Sequence, residues 1–265
     1  MNAATIESPA KLQIGPLIAR GLTSEVFAYG DDRVLKLFYP WFRRSKIERE
    51  FAVTKAIRSA GLPVPNVFEL IEHDGRAGIV FERLHGISMM RDAARKPWSV
   101  IAAARRFAEF HARMHEIAAP AELPTQRKLI EGWIADAKDL SAIDRAAAEQ
   151  SLANLPDGNA ICHGDFHPEN VLLTANGAMI IDWTNGARGN PIGDVARTAC
   201  VLTRAEIPAD WPLHIRVLIT TSRKLLNVFY LRHYFELRPG HPTDIRAWDP
   251  IQKAALSAWN ARMDG

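Results

Sequence analysis

Short apolar runs broken by turn residues fill the first third of the chain, and apolar positions three and four apart fill most of the rest. Residues 16–20 (PLIAR), 24–29 (SEVFAY) and 33–39 (RVLKLFY) are aliphatic, β-branched or aromatic runs separated by Gly21-Leu22-Thr23 and by Gly30-Asp31-Asp32. That pattern predicts a strand meander. Between about 44 and 60 the period lengthens: Ile47, Phe51, Thr54 and Ile57 recur at helical spacing, and Gly61 with Pro63 stops the helix. Two more strands, 66–73 (NVFELIEH) and 77–83 (AGIVFER), flank Asp74-Gly75, a strong hairpin signal.

Beyond Leu84-His85-Gly86, long helical patterns take over. The first, 97–118, opens on Pro97 and sets Val100, Ala104, Phe107, Phe110 or His111, and Met114 along one side. Others cover 125–138, 141–154, 192–205, 212–237 and 248–262. One β-rich island, 159–183, interrupts them, with Asn176-Gly177 as its hairpin turn. The expected fold is α+β in two parts: residues 1–84 with a small antiparallel sheet and one helix, a connector near 82–86, and a larger, mainly helical region over 85–265. A cleft between two such parts is a natural ligand site.

Composition alters that picture little. At 265 residues, 48% hydrophobic and 24% charged, the chain reads as an ordinary globular protein able to bury a core. Thirty-three Lys and Arg against 30 Asp and Glu leave +3, too near balance to point to nucleic acid. The densest basic run, Arg43, Arg44, Lys46 and Arg49, falls on a predicted helix and reads as a solvated face rather than an anion-binding patch. Two cysteines, Cys162 and Cys200, make no disulfide framework, so a reducing compartment is the simpler expectation. With no basic-then-apolar leader and no run near the ~18 apolar residues of a membrane span, a soluble cytoplasmic protein is expected.

Candidate chemistry changes the picture more. Lys36 shares a strand face with Val34 and Phe38, on a strand apolar on both sides. A charge there needs a carboxylate, and Glu48 and Glu50 on the next helix are candidates; a lysine snorkelling from an edge strand is the alternative. Residues 163–170, HGDFHPEN, hold the densest polar cluster. Asp165 and Asn170 lie in a loop between strands, and Asp182 follows twelve positions after Asn170. An Asn and an Asp converging from two arms of a hairpin are hard oxygen ligands suited to Mg²⁺ with phosphate. Asp165 is then left to orient or deprotonate a hydroxyl, which is the division of labour of phosphoryl transfer. The same loop also offers His163, Asp165 and His167 as a metallohydrolase ligand set. That alternative leaves Lys36, Glu50 and Asp182 without roles, and His111, His115, His214 and His233 all fall in helical stretches.

HGDFHPENVLL followed by IIDW, with VLKLF and REF upstream, resembles the catalytic and metal-binding loops of the aminoglycoside phosphotransferase and choline kinase superfamily, relatives of the protein kinases. The resemblance runs from GLTSEVFAYG to about residue 205. It implies a bilobal protein-kinase-like fold and an ATP- and Mg²⁺-dependent transfer of phosphoryl to a hydroxyl of a small molecule, aminoglycoside-like, choline-like or sugar-like, with GTP left open as donor. By the resemblance Lys36 contacts the α- and β-phosphates and pairs with Glu50, Thr23 and Ser24 lie in the phosphate loop, and the backbone of Glu82, Arg83 and Leu84 lines the adenine. Asn170 and Asp182 hold Mg²⁺ and Asp165 is the catalytic base. His163 and Asp194 support the catalytic loop, although Asp194 also suits a plain helix cap.

Departures from the pattern narrow the reading. GLTSEVFAYG holds only Gly21 and Gly30 where protein kinases have G-x-G-x-x-G; IDWT replaces D-F-G and no A-P-E-like segment follows, which argues against a protein kinase. Asn190 stands where many relatives have Asp, and His167 reads as filling or capping the turn before Pro168. A pseudokinase that binds nucleotide without chemistry is the alternative function, although every catalytic position is filled. Glu109, Glu116, Glu131 and Asp136 are either a docking face for a cationic acceptor or solvated helix positions.

Overall fold

A computed structural model describes residues 13–204 and 212–263. The first twelve residues, assigned by sequence to the first lobe, and residue 205, placed at a helix end, lie outside them. Five strands, β1 (Ile14–Arg20), β2 (Ser24–Tyr29), β3 (Arg33–Phe38), β4 (Val67–His73) and β5 (Arg76–Glu82), form an antiparallel sheet in the order β1-β2-β3-β5-β4, and α1 (Arg44–Ser59) connects β3 to β4. Lys36 pairs with Val26 on one side and Ile79 on the other. Its strand face carries Phe38, Ile79 and Phe81, packed with Ile47 of α1. Leu35 and Leu37 pack on the opposite face with Tyr29 and Val80. Strand alternation thus buries β3 on both sides, as its apolar sequence demands. Between β4 and β5, Asp74 and Gly75 have φ of 49° and 73°, the paired left-handed conformation of a type I′ hairpin turn.

The second lobe begins with β6 (Gly86–Ser88), α2 (Met89–Arg95), a 3₁₀ turn at Pro97–Ser99 and α3 (Val100–Glu116). Then come α4 (Gln126–Asp136), α5 (Ala142–Asn154), β7 (Ala160–Cys162), β8 (Val171–Thr174), β9 (Gly177–Ile180) and β10 (Ala187–Gly189). It ends with α6 (Pro191–Arg204), α7 (Leu213–Leu237) and α8 (Asp249–Met263). Strand β8 lies between β6 and β9, and β10 pairs with β7. Helix α3 buries Ala104, Phe107, Ala108, His111, Ala112, Met114 and His115 along one stripe. The stripe meets Tyr230 and Tyr234 of α7 and Phe166 of the loop after β7, with Trp183 in the same cluster. A second core joins α4, α5 and α8 through Ile130, Ile134, Leu152 and Ile251, with Trp248 just before α8 packed among them.

The expected helices and strands all form, with α3 starting three residues after Pro97 because Pro97–Ser99 winds as 3₁₀. Among the described residues the strands β6 and β10 and the helix α2, of three, three and seven residues, are additional, too short to show a period, and Pro242–Trp248 winds as a 3₁₀ helix before α8. The turn between β8 and β9 consists of Ala175 and Asn176, with Gly177 already paired to Thr174, one position earlier than expected. No helix among the described residues is long and apolar enough to cross a membrane.

Candidate active site

Lys36 Nζ donates to Glu50 Oε1 at 2.7 Å and to Asp182 Oδ1 at 3.1 Å. Three elements meet at this ammonium: β3 supplies the lysine, the buried face of α1 supplies the glutamate, and the segment after β9 supplies the aspartate. Burial works against the lysine's charge, but Asp182 and Glu50 outweigh it and hold its pKa above the ordinary range. Burial also opposes ionisation of Asp182, yet Lys36 and Thr184 hold it down to about 2. At Glu50, which is 1% exposed, burial prevails and the pKa lies above its usual value despite Lys36. Thr184 Oγ1 lies 2.7 Å from Glu50 Oε2 and 2.9 Å from Asp182 Oδ1, and Arg49 donates to the Thr184 carbonyl at 3.0 Å. Asp182 itself has φ 64°, a left-handed conformation that an aspartate tolerates better than most residues. That turn of the backbone is where β9 hands the chain to the cleft.

The loop between β7 and β8 carries His163, Asp165 and Asn170. Asn170 Nδ2 donates to the Asp165 carbonyl at 3.0 Å, which leaves Oδ1 as the acceptor of its amide. The Ile181 N–H donates to the Asn170 carbonyl at 3.0 Å, so Asn170 lies across from Ile181, the residue before Asp182, at the open end of the β8–β9 hairpin. The Asp165 side chain is one-third exposed, with Oδ2 3.7 Å from His167 Nε2 and Oδ1 4.0 Å from Arg197 Nη2. Burial would raise its pKa, but His167 and Arg197 bring it below the ordinary value. His167 does not cap the turn: no side-chain cap bond forms at Pro168–Asn170. Its Nε2 instead lies 3.1 Å from Asn170 Nδ2, and although burial opposes it, Asp165 raises its pKa.

His163 is fully buried, with Nε2 3.0 Å from the Ile181 carbonyl and Nδ1 accepting the Asp165 N–H at 3.2 Å. Both ring nitrogens are therefore committed to backbone, which takes His163 out of any metal set with Asp165 and His167. Beneath it, Asp194 Oδ2 accepts the His163 N–H at 2.6 Å and Oδ1 accepts the Gly164 N–H at 2.8 Å. The aspartate does not simply cap its own helix. Oδ2 also receives His111 Nε2 at 3.1 Å and His115 Nε2 at 3.3 Å, while the hydroxyls of Tyr230 and Tyr234 lie 2.7 Å from the two Nδ1 atoms. His111, His115 and Asp194 place their ligand atoms within 4.8 Å of one another, a spacing that a metal ion fits. The neutral Nε2–H tautomer of both rings satisfies every one of these groups by hydrogen bonding alone. Burial opposes the charge of Asp194, but the two histidines hold its pKa well below normal.

This network is what the sequence reading missed. A signal was present: H-x-x-x-H on α3 and Y-x-x-x-Y on α7 repeat one spacing, and each histidine meets its tyrosine 119 positions on. Asn190 caps α6, its Oδ1 accepting the Ile192 N–H at 2.9 Å. Ser24 is buried and paired with Phe38, while the Thr23 carbonyl accepts the Tyr39 N–H at 3.0 Å, so the β1–β2 turn is tied back to β3. In the connector the N–H groups of Glu82 and Arg83 donate to Asn66 and Asp32. The Glu82 carboxylate accepts from Asn66. Among the basic run, Arg43 faces Asp136 and Arg44 faces Glu48 and Glu72. Glu109 and Glu116 face His233 and Arg238, and Glu131 is exposed.

A five-stranded antiparallel lobe joined by a short connector to a helical lobe, with a strand lysine paired to a helix glutamate, defines a protein-kinase-like fold. Residues 15–218 match the model of the phosphotransferase enzyme family, and the chain belongs to that family. In fold it is similar to a choline/ethanolamine kinase family protein from Mesorhizobium loti, at TM-score 0.59 and 18% identity over 92% of this chain and 78% of that one. A thermostable mutant of aminoglycoside phosphotransferase APH(4)-Ia, solved in ternary complex with ADP and hygromycin B, gives TM-score 0.60 and 19% identity over 95% and 92% of the two chains. A curated relative, acyl-CoA dehydrogenase family member 10 of Mus musculus, is 26% identical over 196 residues, 63% of this chain but only 17% of that protein. The family match places the chain among phosphotransferases, and the neighbours show that it shares their fold.

Proposed function

We propose that the protein transfers the γ-phosphoryl group of ATP to a hydroxyl of a small molecule. The observation that carries this reading is Lys36, bonded at once to Glu50 and Asp182, at the point where the sheet faces the Asp165–Asn170 loop. In this reading nucleotide sits on the lobe ending near residue 84, with the backbone of Glu82 to Leu84 toward the adenine edge and the segment at Thr23 and Ser24, where the β1–β2 turn enters β2, near the phosphates. Residues 85–265 supply the catalytic loop and the acceptor site. Lys36 sets its ammonium against the α- and β-phosphates, and Glu50 keeps it in place. Asn170 Oδ1 and the Asp182 carboxylate, both oxygen donors, suit Mg²⁺. When bound, the ion supplies charge neutralisation along the phosphates.

Asp165 accepts the proton of the acceptor hydroxyl. The oxygen so activated forms a bond to the γ-phosphorus as the bond to the β–γ bridging oxygen breaks, and ADP leaves. A pKa held below normal keeps Asp165 ionised and able to take that proton at neutral pH. The partly exposed carboxylate is open to acceptor, whereas His163 and Asp194 are sealed beneath it.

The test is a coupled ADP-release screen over hydroxylated small molecules with ATP and Mg²⁺, run beside Asp165→Asn. Turnover in wild type that falls about 100-fold or more in the variant, with nucleotide binding retained, supports the assignment. Nucleotide binding without turnover on any acceptor points to a pseudokinase, and undiminished turnover in Asp165→Asn sinks the base assignment.

A further inference from the structure

Helix α6 presents two side chains to the catalytic loop, one turn apart: Asp194 and Arg197. Positions i and i+3 of a helix share a face, and here that face lies directly under residues 163–165. Asp194 holds the loop by its donors, the N–H groups of His163 and Gly164. Arg197 holds it by its acceptors. Its Nε donates to the Gly164 carbonyl at 3.4 Å, and Nη2 lies 4.0 Å from Asp165 Oδ1. The guanidinium also stacks over Trp133, with Cζ 5.6 Å from the ring centroid.

Arg197 is 9% exposed, and its Nη1 has no hydrogen-bond partner. As a purely structural element this is a poor arrangement. A buried guanidinium is costly unless its donors are well used, and this one has a long bond, a loose ion pair and an orphan nitrogen. Stability alone does not account for an arginine here. Its position between a loop carbonyl and the proposed base does.

Resting on the phosphotransfer reading above, we infer that Arg197 is a positioning residue, which fixes the Asp165 carboxylate toward the acceptor hydroxyl by bridging it to the Gly164 carbonyl. The rigid fork suits this task. A lysine reaching the same point offers one compact charge and cannot span the two oxygens in a plane. Gly164, with φ +75°, turns its carbonyl inward to meet the fork.

The experiment compares wild type with Arg197→Lys, Arg197→Met and Arg197→Ala, reading kcat, KM for ATP and nucleotide affinity by calorimetry. Arg197→Met is expected to lower kcat about 100-fold, with KM for ATP and nucleotide affinity unchanged. Arg197→Lys should recover only part of that loss. In Arg197→Ala, guanidinium in the buffer should restore turnover where methylammonium does not, a response that loss of folding would not show. Wild-type kcat in Arg197→Met, or a rise in KM for ATP that matches the loss in rate, or equal rescue by both cations, overturns the inference while the phosphotransfer reading stands. A wild type silent across the acceptor screen overturns both.

Discussion

Thr184 Oγ1 reaches Glu50 Oε2 at 2.7 Å, so a hydroxyl from the segment after β9 steadies a carboxylate on α1, 134 positions earlier in the chain. Neither residue need touch phosphate for this contact to matter. Glu50 lies almost wholly out of solvent, and its two oxygens are divided between Lys36 and Thr184.

Thr184→Val keeps the shape and removes the hydroxyl, which leaves one buried oxygen of Glu50 short of a donor. The expected cost is about 1–3 kcal/mol in urea denaturation, accompanied by weaker nucleotide binding as Lys36 loses its brace. Unchanged nucleotide affinity in a destabilised Thr184→Val would confine the hydroxyl's role to folding.

Asp194→Asn is expected to be far more damaging. The substitution removes the charge that gathers four donors, and the new amide brings N–H groups into a space already filled with them. Breaking a buried charged network of this kind costs about 3–5 kcal/mol, measurable as a large drop in the denaturation midpoint. A variant as stable as wild type would show that the loop does not depend on Asp194.

His111 predicts the response to acid. Burial above all, with His115 adding repulsion, holds its pKa down to about 3 from an ordinary 6.5. The unfolded chain therefore binds a proton that the folded protein refuses, and stability falls as pH drops through that window. Between pH 6.5 and pH 5 this residue costs about 2 kcal/mol. His163, also lowered by burial, acts in the same direction, and His167, raised by Asp165, opposes it. Denaturation midpoints measured across this range should fall steeply in wild type and less steeply in His111→Phe; identical slopes would refute the assignment.

Gly164→Ala tests the turn itself. A Cβ at this position would lie 2.6 Å from the Asn185 carbonyl oxygen, on a backbone at φ +75°, so both space and conformation oppose it. The loss should exceed about 1 kcal/mol and should fall more heavily on kcat than on nucleotide affinity, because the strained segment holds Asp165 rather than Lys36.

Legibility from sequence followed the range of the signal. Lys36 stood out because alternation along one strand is local, and the Asp165, Asn170 and Asp182 spacing is carried by a single hairpin. His111 and His115 were readable as a helical pair, but their partners become visible only once α3 and α7 lie side by side. Arg197 shares a helix face with Asp194 in the sequence itself, yet what that face meets is decided by the packing of α6 under the loop after β7. Strands β6 and β10 were hidden by brevity: three residues hold too little alternation to separate a strand from a turn.

Lys36 and Asp182 stand 146 positions apart, and this separation dictates an order of assembly. On a ribosome the first five strands and α1 are complete when residue 82 has emerged, and roughly a hundred further residues, about 5–20 s of synthesis at usual rates, must follow before Asp182 exists. Throughout that interval Lys36 has Glu50 as its carboxylate and nothing from the second lobe. Closing so long a loop is entropically costly, so the cleft cannot be completed until the second lobe has supplied its aspartate.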